Sequence, residues 1–288
     1  MPPIIDPGMK DYSPDIKFAV VGAGRVGVTL GVLLKRAGHT ITGCSARSAS
    51  SLELAARWLG CPGTTAPAHA VAGADAVIIS VPDDALEAVA GKLKSAIAAG
   101  THVIHTAGSF GLAPLSILAA KGAITLAAHP LQSIPDVESG LARVPGSWFG
   151  VTCSDDRKTW AGSFVEALGG NPLWISEDDR TLYHAAAVMA SNYLVVLAAL
   201  VQETGFEVGP YLPLMRGTLA NVESLGPAVA LTGPVARGDA GTVSRHLAVL
   251  PPTVRPAYRT LALEALRTAL AAGRIEESAA AAIENLLK

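Results

Sequence analysis

Residues 16–39, IKFAVVGAGRVGVTLGVLLKRAGH, join an apolar run to a glycine motif and then to an amphipathic segment. The first six residues predict a buried strand, and three glycines follow at once with the spacing G-x-G-x-x-G. An amphipathic helix then runs to a glycine stop at Gly38. A glycine motif that lies between a strand and a helix is typical of a loop that binds a dinucleotide.

Each glycine of this motif has a separate role in such a loop. Gly22 allows the tight turn, Gly24 lets the backbone approach a pyrophosphate, and Gly27 lets the helix pack closely on the strand. The amino end of the helix attracts the phosphate charge. The alternative is a glycine-rich turn without a ligand. The motif predicts that the pyrophosphate lies against the loop and the first helical turn, Gly22, Ala23, Gly24, Arg25, Val26 and Gly27.

The second predicted strand, residues 40–48, TITGCSARS, ends without the acid that NAD-specific proteins usually place there for the ribose hydroxyls. A guanidinium and hydroxyl groups stand at this point instead, and they suit a 2′-phosphate. We therefore predict NADP rather than NAD as the cofactor, with Ser45 and Arg47 in contact with it. The alternative is that Arg47 is only a solvated residue at the start of a helix.

Further strands alternate with alanine-rich amphipathic segments, which indicates βαβ units and a parallel sheet. These strands are predicted over residues 74–82, 101–109, 123–133 and 147–153. Because ligands bind beyond the carboxyl ends of such strands, we expect Val81, Pro82 and His105 to contact the cofactor, and Ser109 and His129 to contact a substrate. Alternatively, each histidine caps a helix or holds its own loop.

After residue 170 the pattern changes from strands to helices. Residues 176–179, SEDD, form a capping signal with acids in the first turn, a long apolar helix follows, and Gly205 ends it. The helical period continues over residues 212–225, 240–250, 257–272 and 275–287. The sequence thus predicts a leader over residues 1–15, an α/β dinucleotide-binding domain over 16–170 and an all-helical domain over 171–288.

The long helix carries three polar residues among alanines, leucines and valines. At about 100° per residue, Ser191 lies about 20° from His184 around the helix and Asn192 lies about 80° from it, so the three share one stripe. A stripe of this kind can face a cleft, and an imidazole is suited to give a proton to a substrate near neutral pH. The alternative is a histidine at the helix start that is bonded to a loop.

A cationic side chain precedes a predicted helix in residues 231–239, LTGPVARGD. Asp239 is a plausible N-cap of that helix, and Arg237 lies just before the helix amino end, where it could hold a substrate carboxylate. Pairing of Arg237 with Asp239 to hold the loop is the alternative.

Composition and missing motifs exclude several classes of protein. A formal net charge of −2 does not indicate the positively charged surface that binds nucleic acid. The three cysteines are widely spaced, which predicts neither a disulfide framework nor a metal site and favours reduced thiols in a cytoplasm. Neither a G-x-S-x-G elbow nor a phosphate-binding G-x-x-x-x-G-K-[ST] motif is present. The long apolar helix is interrupted by Ser191 and Asn192, which favours a buried core helix over a membrane span.

Four motifs together resemble a known family: HTAGS (105–109), HPLQS (129–133), SNYLVVL (191–197) and LTGPVARGD (231–239). They are similar to a bacterial family that joins a Rossmann-like domain to a C-terminal helical domain of unknown function. That family lies in the 6-phosphogluconate dehydrogenase-like superfamily, with ketopantoate reductase and pyrroline-5-carboxylate reductase. The resemblance covers nearly the whole chain from Ile16. It implies an α/β Rossmann fold and an NADP-dependent oxidoreductase that is often dimeric through its helical domain.

The resemblance also suggests a substrate and a departure from the family pattern. A small carboxylated carbonyl compound, a ketopantoate-like 2-oxo acid ahead of a cyclic imine, is the implied substrate. In ketopantoate reductases the corresponding helix carries a lysine as general acid and an asparagine two turns later. Here His184 stands at the lysine position and Asn192 matches the asparagine. Either His184 donates the proton or the chemistry differs, and a non-catalytic dinucleotide-binding sensor is the competing hypothesis.

Overall fold

The computed structural model describes residue 12 and residues 15–288, and contacts divide the chain into two compact units, Met1–Met189 and Ala190–Lys288. The predicted leader falls outside the described residues except at Tyr12 and Asp15. The division lies later than the boundary predicted near residue 170. One reason is that a further strand, Asn171–Trp174, joins the sheet of the first unit. The other is that the first turns of the following helix are held by that unit.

The first unit is built on one eight-stranded sheet in the order β3-β2-β1-β4-β5-β6-β7-β8. Its strands are β1 (Lys17–Val21), β2 (Thr40–Ser45), β3 (Gly63–Thr64), β4 (Ala76–Ile79), β5 (His102–His105), β6 (Ile124–Pro130), β7 (Trp148–Thr152) and β8 (Asn171–Trp174). Its helices are α1 (Arg25–Arg36), α2 (Ala49–Leu59), α3 (Pro67–Ala70), α4 (Leu86–Leu93), α5 (Ser116–Ala119), α6 (Val137–Arg143) and α7 (Lys158–Ala167). This alternation confirms the predicted α/β class.

One strand pair departs from the predicted parallel sheet, because β6 and β7 are antiparallel. The connection between them packs its helix α6 against α1 and returns to the edge where β6 ends. There the N–H of Leu131 donates to the carbonyl oxygen of Trp148 at 2.9 Å. As a result, Gly150 of β7 pairs with His129 at the carboxyl end of β6. The antiparallel pair therefore brings a further strand to the edge at which ligands bind.

Both faces of the central strands β1, β4 and β5 are buried, as in a doubly wound fold, whereas the edge strand β8 is largely exposed. Successive side chains of β1 point to opposite faces, so Phe18 and Val20 belong to one core cluster, and Ala19 and Val21 belong to the other. The near-continuous apolar strands of the sequence follow from burial on both sides.

The second unit is all-helical in its described residues, which confirms the predicted class. The helices are α8 (Arg180–Glu203), which begins in the first unit, α9 (Leu212–Leu225), α10 (Pro227–Ala230), α11 (Ala240–Val249), α12 (Arg255–Ala271) and α13 (Glu277–Leu287). A small core around Val243, Leu266 and Ile283 joins α11, α12 and α13. This core contains no residue of α8 or α9.

Helix α8 begins and ends where the sequence predicts. The N–H of Asp179 donates to Oγ of Ser176 at 3.2 Å, which caps the helix start, and Gly205 adopts a φ of +89° just beyond its end. The expectation of a buried core helix is nevertheless wrong for the single chain. Arg180 is the one buried residue among those of α8, and α9 has none. By length and composition alone, α8 is long and apolar enough to cross a membrane.

Candidate functional site

The glycine loop between β1 and α1 has the geometry that its three glycines predict. Gly22 has a φ of +89°, and a Cβ there would collide with the carbonyl oxygen of Ser80 on the neighbouring strand. A Cβ at Gly27 would lie 2.5 Å from the carbonyl oxygen of Gly22, whereas nothing stands within 4 Å of the Cβ position of Gly24. The loop is thus closely packed at Gly22 and Gly27, and it is open where a phosphate would approach Gly24.

Strand β2 holds this loop in place. The N–H groups of Gly22 and Ala23 both donate to the carbonyl oxygen of Ser45, at 2.9 and 2.8 Å. Helix α1 starts with Gly24 as N-cap and has no side-chain cap, so its first N–H groups are available to an anion. The side chain of Arg25 is engaged elsewhere, because its Nη1 donates to the carbonyl oxygen of Pro135 at 2.9 Å.

A cavity of about 430 Å³ adjoins the loop and has one cationic wall. Arg47 and Lys92 line it and are exposed, and the hydroxyls of Ser48 and Ser51 stand beside them at the start of α2. The predicted residues Gly22, Gly24, Ser45, Val81 and Pro82 line the same cavity. Lys92 escaped prediction because it lies in the last turn of α4, far along the chain from every motif.

His105 has a structural position rather than a cofactor-facing one. The residue is fully buried, its Nδ1 accepts from the N–H of Ala107 at 3.2 Å, and its Nε2 bonds to the carbonyl oxygen of Gly111 at 2.7 Å. Burial lowers the pKa of His105 to about 4. With both ring nitrogens engaged by its own loop, His105 fits the alternative in which the histidine holds the loop together.

Two other imidazoles meet beside that loop. The rings of His129 and His184 lie 5.9 Å apart between centroids and nearly perpendicular. A Cβ built on Gly108 would lie 3.2 Å from Nε2 of His129 and 3.1 Å from Nε2 of His184, so only a glycine fits between them. His184 is half-buried and has no hydrogen-bond partner in the described part of the chain. Its placement therefore differs from the alternative of a histidine bonded to a loop.

A tyrosine that the sequence analysis did not single out orients His129. The hydroxyl of Tyr183 lies within hydrogen-bonding distance of Nδ1 of His129, at 2.9 Å. When the hydroxyl donates to Nδ1, the proton of the neutral ring lies on Nε2, facing Gly108. Burial, and then the nearby charge of Arg180, lower the pKa of His129 to about 4. His129 is thus a neutral N–H donor at physiological pH.

Arg180 fixes the loop between β5 and α5 to the start of α8. Its guanidinium is fully buried and donates to the carbonyl oxygens of Phe110 (2.9 Å), Gly150 (2.9 Å) and Ala107 (2.8 Å). The loop is also held at Leu112, whose N–H donates to the carboxylate of Glu177. The sequence signal for this role is weak, since an arginine at a helix start usually remains in solvent.

The remaining predicted site residues are exposed or half-buried. Ser109 donates to Oδ2 of Asp83 at 2.9 Å, which ties the ends of β4 and β5 together. Ser191 and Asn192 are exposed on α8 in the second unit. Asp239 caps α11 by accepting from the N–H of Thr242 at 2.9 Å. Arg237 is exposed, and its side chain forms no hydrogen bond or ion pair with described residues. Its guanidinium is therefore available to an anionic ligand.

The depressed pKa values of His105 and His129 predict that the folded protein loses stability below neutral pH. In the folded protein both titrate near 4, whereas in the unfolded chain they titrate near the ordinary value of about 6.5. Between these values the unfolded chain binds more protons, so stability is fully present above pH 6.5 and is lost as the pH falls toward 4. We expect the melting temperature to fall by several degrees between pH 7.5 and pH 5.

The substitution His129→Asn tests this assignment, because asparagine retains an acceptor for Tyr183 but does not titrate. The variant should lose part of the pH dependence of the melting temperature, and the exposed-histidine control His69→Asn should keep all of it. A pH profile of His129→Asn identical to that of the wild type would contradict the assignment.

Comparison with known proteins agrees with this architecture. The chain is 28% identical over 243 residues to glycerol-3-phosphate dehydrogenase (NAD(P)+) of Azorhizobium caulinodans, which covers 77% of this chain and 73% of that protein. A crystal structure assigned as an NADP oxidoreductase of Bacteroides fragilis superposes with a TM-score of 0.76 at 22% identity, over 88% of this chain and 99% of that one. A reductive aminase of Aspergillus terreus, in complex with NADPH and ethyl-5-oxohexanoate, gives a TM-score of 0.57 at 17% identity, over 95% and 92%.

The fold is therefore that of NAD(P)-dependent dehydrogenases and reductases. Residues 6–130 match the Rossmann-like domain, and residues 147–265 match the domain of unknown function DUF2520. The second match begins at β7, before the helical unit, so DUF2520 includes the last two strands of the sheet and the start of α8 with Arg180 and His184. The chain thus combines a Rossmann-like domain with a C-terminal DUF2520 domain, as its motifs predict.

Proposed function

We propose that this protein is an NADPH-dependent reductase of a small carboxylated carbonyl compound, with ketopantoate-like 2-oxo acids as the leading substrate class. The observation that carries the proposal is the imidazole of His184, half-buried without a hydrogen-bond partner, beside the Nε2 of His129 at the carboxyl end of the sheet. When bound, NADPH supplies the hydride. The chain itself must then hold the dinucleotide, stabilise the charge that develops on the substrate heteroatom and deliver a proton to it.

The cofactor would be held by the glycine loop and the cavity beside it. The open position at Gly24 and the uncapped start of α1 suit the pyrophosphate. Arg47 and Lys92 supply two positive charges to the same cavity, and the hydroxyls at the start of α2 can donate to phosphate oxygens. Together these groups support NADP over NAD, since a ribose without phosphate would leave both cations without an anionic partner.

The first test of this assignment is the substitution Arg47→Asp. It removes a cation and adds a repulsive charge at the proposed 2′-phosphate position, so it should weaken NADPH binding about 10- to 100-fold and NADH binding much less. Dissociation constants for both nucleotides, measured by fluorescence titration, provide the comparison. The matched control Arg143→Asp changes an exposed arginine of α6 outside the cavity and should leave both constants unchanged. Equal losses for NADPH and NADH in Arg47→Asp would refute the phosphate assignment.

His184 is the proposed proton donor, and His129 is the proposed partner that stabilises developing negative charge. His129 is neutral, and we propose that it carries its proton on Nε2, the nitrogen that lies on the side of Gly108 and His184. We propose that a substrate oxygen beside the two rings accepts a hydrogen bond from each. Rigid anchoring of the loop by Arg180 keeps the two donors in place before substrate arrives, which reduces the reorganisation that the chemical step requires.

The other predicted substrate contacts complete the proposal. Asn192 and Ser191 follow His184 by about two turns on the same helix, and we propose that they orient the substrate. Arg237, with its unpaired guanidinium, is the proposed ligand of the substrate carboxylate. We propose that Ser109 contributes to substrate binding, in a loop that its hydrogen bond to Asp83 holds in place.

A second test follows from the role of His184. His184→Ala should lower the single-turnover rate about 10² to 10⁴-fold and leave NADPH affinity nearly unchanged, because a general acid acts in the chemical step. His184→Lys restores the group that ketopantoate reductases use and should retain part of the rate. His69→Ala, which removes an exposed histidine, is the control for a general loss of histidine.

The outcome separates a catalytic role from a structural one. If His184→Ala keeps the full rate and only lowers the melting temperature, the residue is structural and the proposed mechanism fails. Tight NADPH binding by the wild type without turnover of any 2-oxo acid or imine would instead identify a dinucleotide-binding sensor.

An imine substrate is the second candidate, and the Aspergillus terreus reductive aminase supports it as a neighbour of the same fold. An assay that follows NADPH absorbance distinguishes the candidates, with ketopantoate, 1-pyrroline-5-carboxylate and dihydroxyacetone phosphate as substrates. Dihydroxyacetone phosphate is included because the Azorhizobium caulinodans relative is named as a glycerol-3-phosphate dehydrogenase. We expect the highest kcat/KM with the 2-oxo acid.

We further propose a cytoplasmic homodimer that forms through the helical unit. Large apolar side chains of α8 and α9 are exposed in the single chain, among them Tyr193 (55%), Val195 (69%), Leu214 (67%) and Leu225 (55%). Soluble monomers rarely expose apolar patches of this extent. A second copy would cover them without requiring another partner, whereas insertion into a membrane would have to accommodate the polar pair Ser191 and Asn192 on α8.

The expected dimer buries more than about 2,000 Å² of mainly apolar surface. Light scattering at micromolar concentration should give twice the mass of one chain. Val195→Glu should shift the mass toward the monomer, because it would bury a charge in the interface. Val249→Glu, at an equally exposed valine of α11, should not. A monomeric wild type, or co-sedimentation of the wild type with phospholipid vesicles, would contradict the dimer.

A further inference from the structure

Tyr183 and His129 come from distant parts of the sequence and meet edge to face. The hydroxyl oxygen of Tyr183 lies 2.9 Å from Nδ1 of His129, and the ring centroids are 5.8 Å apart at an interplanar angle of 84°. His129 lies near the end of β6, whereas Tyr183 lies in the first turn of α8. The contact therefore depends on how the start of α8 is placed against the sheet.

Gly150 makes room for the tyrosine ring. In the antiparallel pair of β6 and β7, Gly150 lies directly opposite His129. A Cβ built on Gly150 would overlap the ring and the hydroxyl of Tyr183, so a larger residue would push the tyrosine away from β7. The guanidinium of Arg180 donates to the carbonyl oxygen of Gly150 and lies 5.5 Å from the centre of the tyrosine ring. The register of β7 thus places the ring of Tyr183 beside His129.

The hydrogen bond between the two side chains has a preferred direction. A tyrosine hydroxyl carries one proton, and Nδ1 of His129 is the one acceptor among the described residues that lies within hydrogen-bonding distance of it. If Nδ1 carried the ring proton, the hydroxyl of the half-buried Tyr183 would accept, and its own proton would have no acceptor among those residues. Donation from Tyr183 to Nδ1 leaves the single proton of the neutral imidazole on Nε2.

The buried charge beside this pair is positive. Arg180 is fully buried, and no carboxylate of the described residues lies at salt-bridge distance from its guanidinium. Burial and the charge of Arg180 lower the pKa of His129 to about 4, so the ring is neutral at physiological pH. A cationic substrate group beside His129 would be repelled by Arg180, whereas an oxygen that gains negative charge would be stabilised.

We propose that Tyr183 is a positioning residue that holds His129 in the Nε2–H tautomer, and that this tautomer makes the site selective for a carbonyl oxygen over an iminium nitrogen. The selectivity rests on the proposed reductase function. As the C–H bond forms in carbonyl reduction, the π electrons move to oxygen, which accepts from Nε2–H of His129 and takes a proton from His184. An iminium nitrogen already carries its proton and loses positive charge as the C–H bond forms. An N–H donor therefore has no negative charge to stabilise there.

The tautomer of His129 can be measured without substrate or cofactor. In full-length protein labelled with nitrogen-15 at histidine, long-range proton–nitrogen NMR spectra at pH 7.5 distinguish a protonated ring nitrogen from an unprotonated one. The signals of His129 are assigned by their loss in His129→Asn. We expect a protonated Nε2 and an unprotonated Nδ1 in the wild type, and a second tautomer that becomes populated in Tyr183→Phe. A proton on Nδ1 in the wild type, or an unchanged spectrum of His129 in Tyr183→Phe, would overturn the proposal.

Substrate preference provides the functional readout. Tyr183→Phe keeps the aromatic ring against Gly150 and removes only the hydroxyl. It should lower kcat/KM for ketopantoate about 10-fold and kcat/KM for 1-pyrroline-5-carboxylate much less, with NADPH affinity unchanged. Tyr211→Phe, at a half-buried tyrosine that packs on Phe206 outside the site, is the matched control and should change neither value. Equal losses for the two substrates in Tyr183→Phe would show a merely structural role and refute the selectivity.

A double variant tests whether Tyr183 acts through His129. In a His129→Ala background the hydroxyl has no imidazole to orient, so the addition of Tyr183→Phe should cause no further loss of kcat/KM for ketopantoate. A further loss as large as that in the wild-type background would overturn the positioning role. If the wild type reduces neither a 2-oxo acid nor an imine, the proposed reductase function fails, and the histidine spectra still decide whether Tyr183 sets the tautomer.

Discussion

The candidate site depends on one buried cation, the guanidinium of Arg180. Its three hydrogen bonds connect the start of α8 to the loop after β5 and to Gly150 of β7. A buried guanidinium is tolerated only when its donors are satisfied. Here backbone carbonyls satisfy them, and no carboxylate of the described residues lies at salt-bridge distance. This anchor sets where His184, one turn further along the helix, meets Gly108 and His129.

The same cation shapes the electrostatics around it. Together with burial, the charge of Arg180 favours the neutral form of His129. The same charge adds to the lowering of the pKa of His105 that burial causes. A neutral histidine can donate a hydrogen bond without carrying a charge. The site thus contains two imidazoles in different environments: His129 contacts Tyr183, and His184 has no hydrogen-bond partner among the described residues. Acid–base chemistry uses differences of this kind.

The glycine loop and the imidazole pair both lie at the carboxyl edge of the sheet. Strand β2 ends at Ser45, which holds the glycine loop, and the antiparallel return of β7 brings Gly150 against His129 and Tyr183. One strand order therefore positions the cavity beside the glycine loop near β1, β2 and β4, and an imidazole pair near β5, β6 and β7. The exposed apolar faces of α8 and α9 show that the single chain leaves much of its helical surface uncovered.

The sequence by itself determined the elements and the glycine loop, because period, glycine spacing and caps are local properties. Strand β1, the glycine loop, the capping signal before α8 and the N-cap Asp239 are all found where the sequence predicts them. It also selected His184 and His129, but not how they meet. Tertiary structure alone decided the buried position of Arg180, the hydrogen bonds of the His105 ring and the place of the second cation, Lys92. Each of these depends on strand order and register, which join residues that no local pattern in the chain connects.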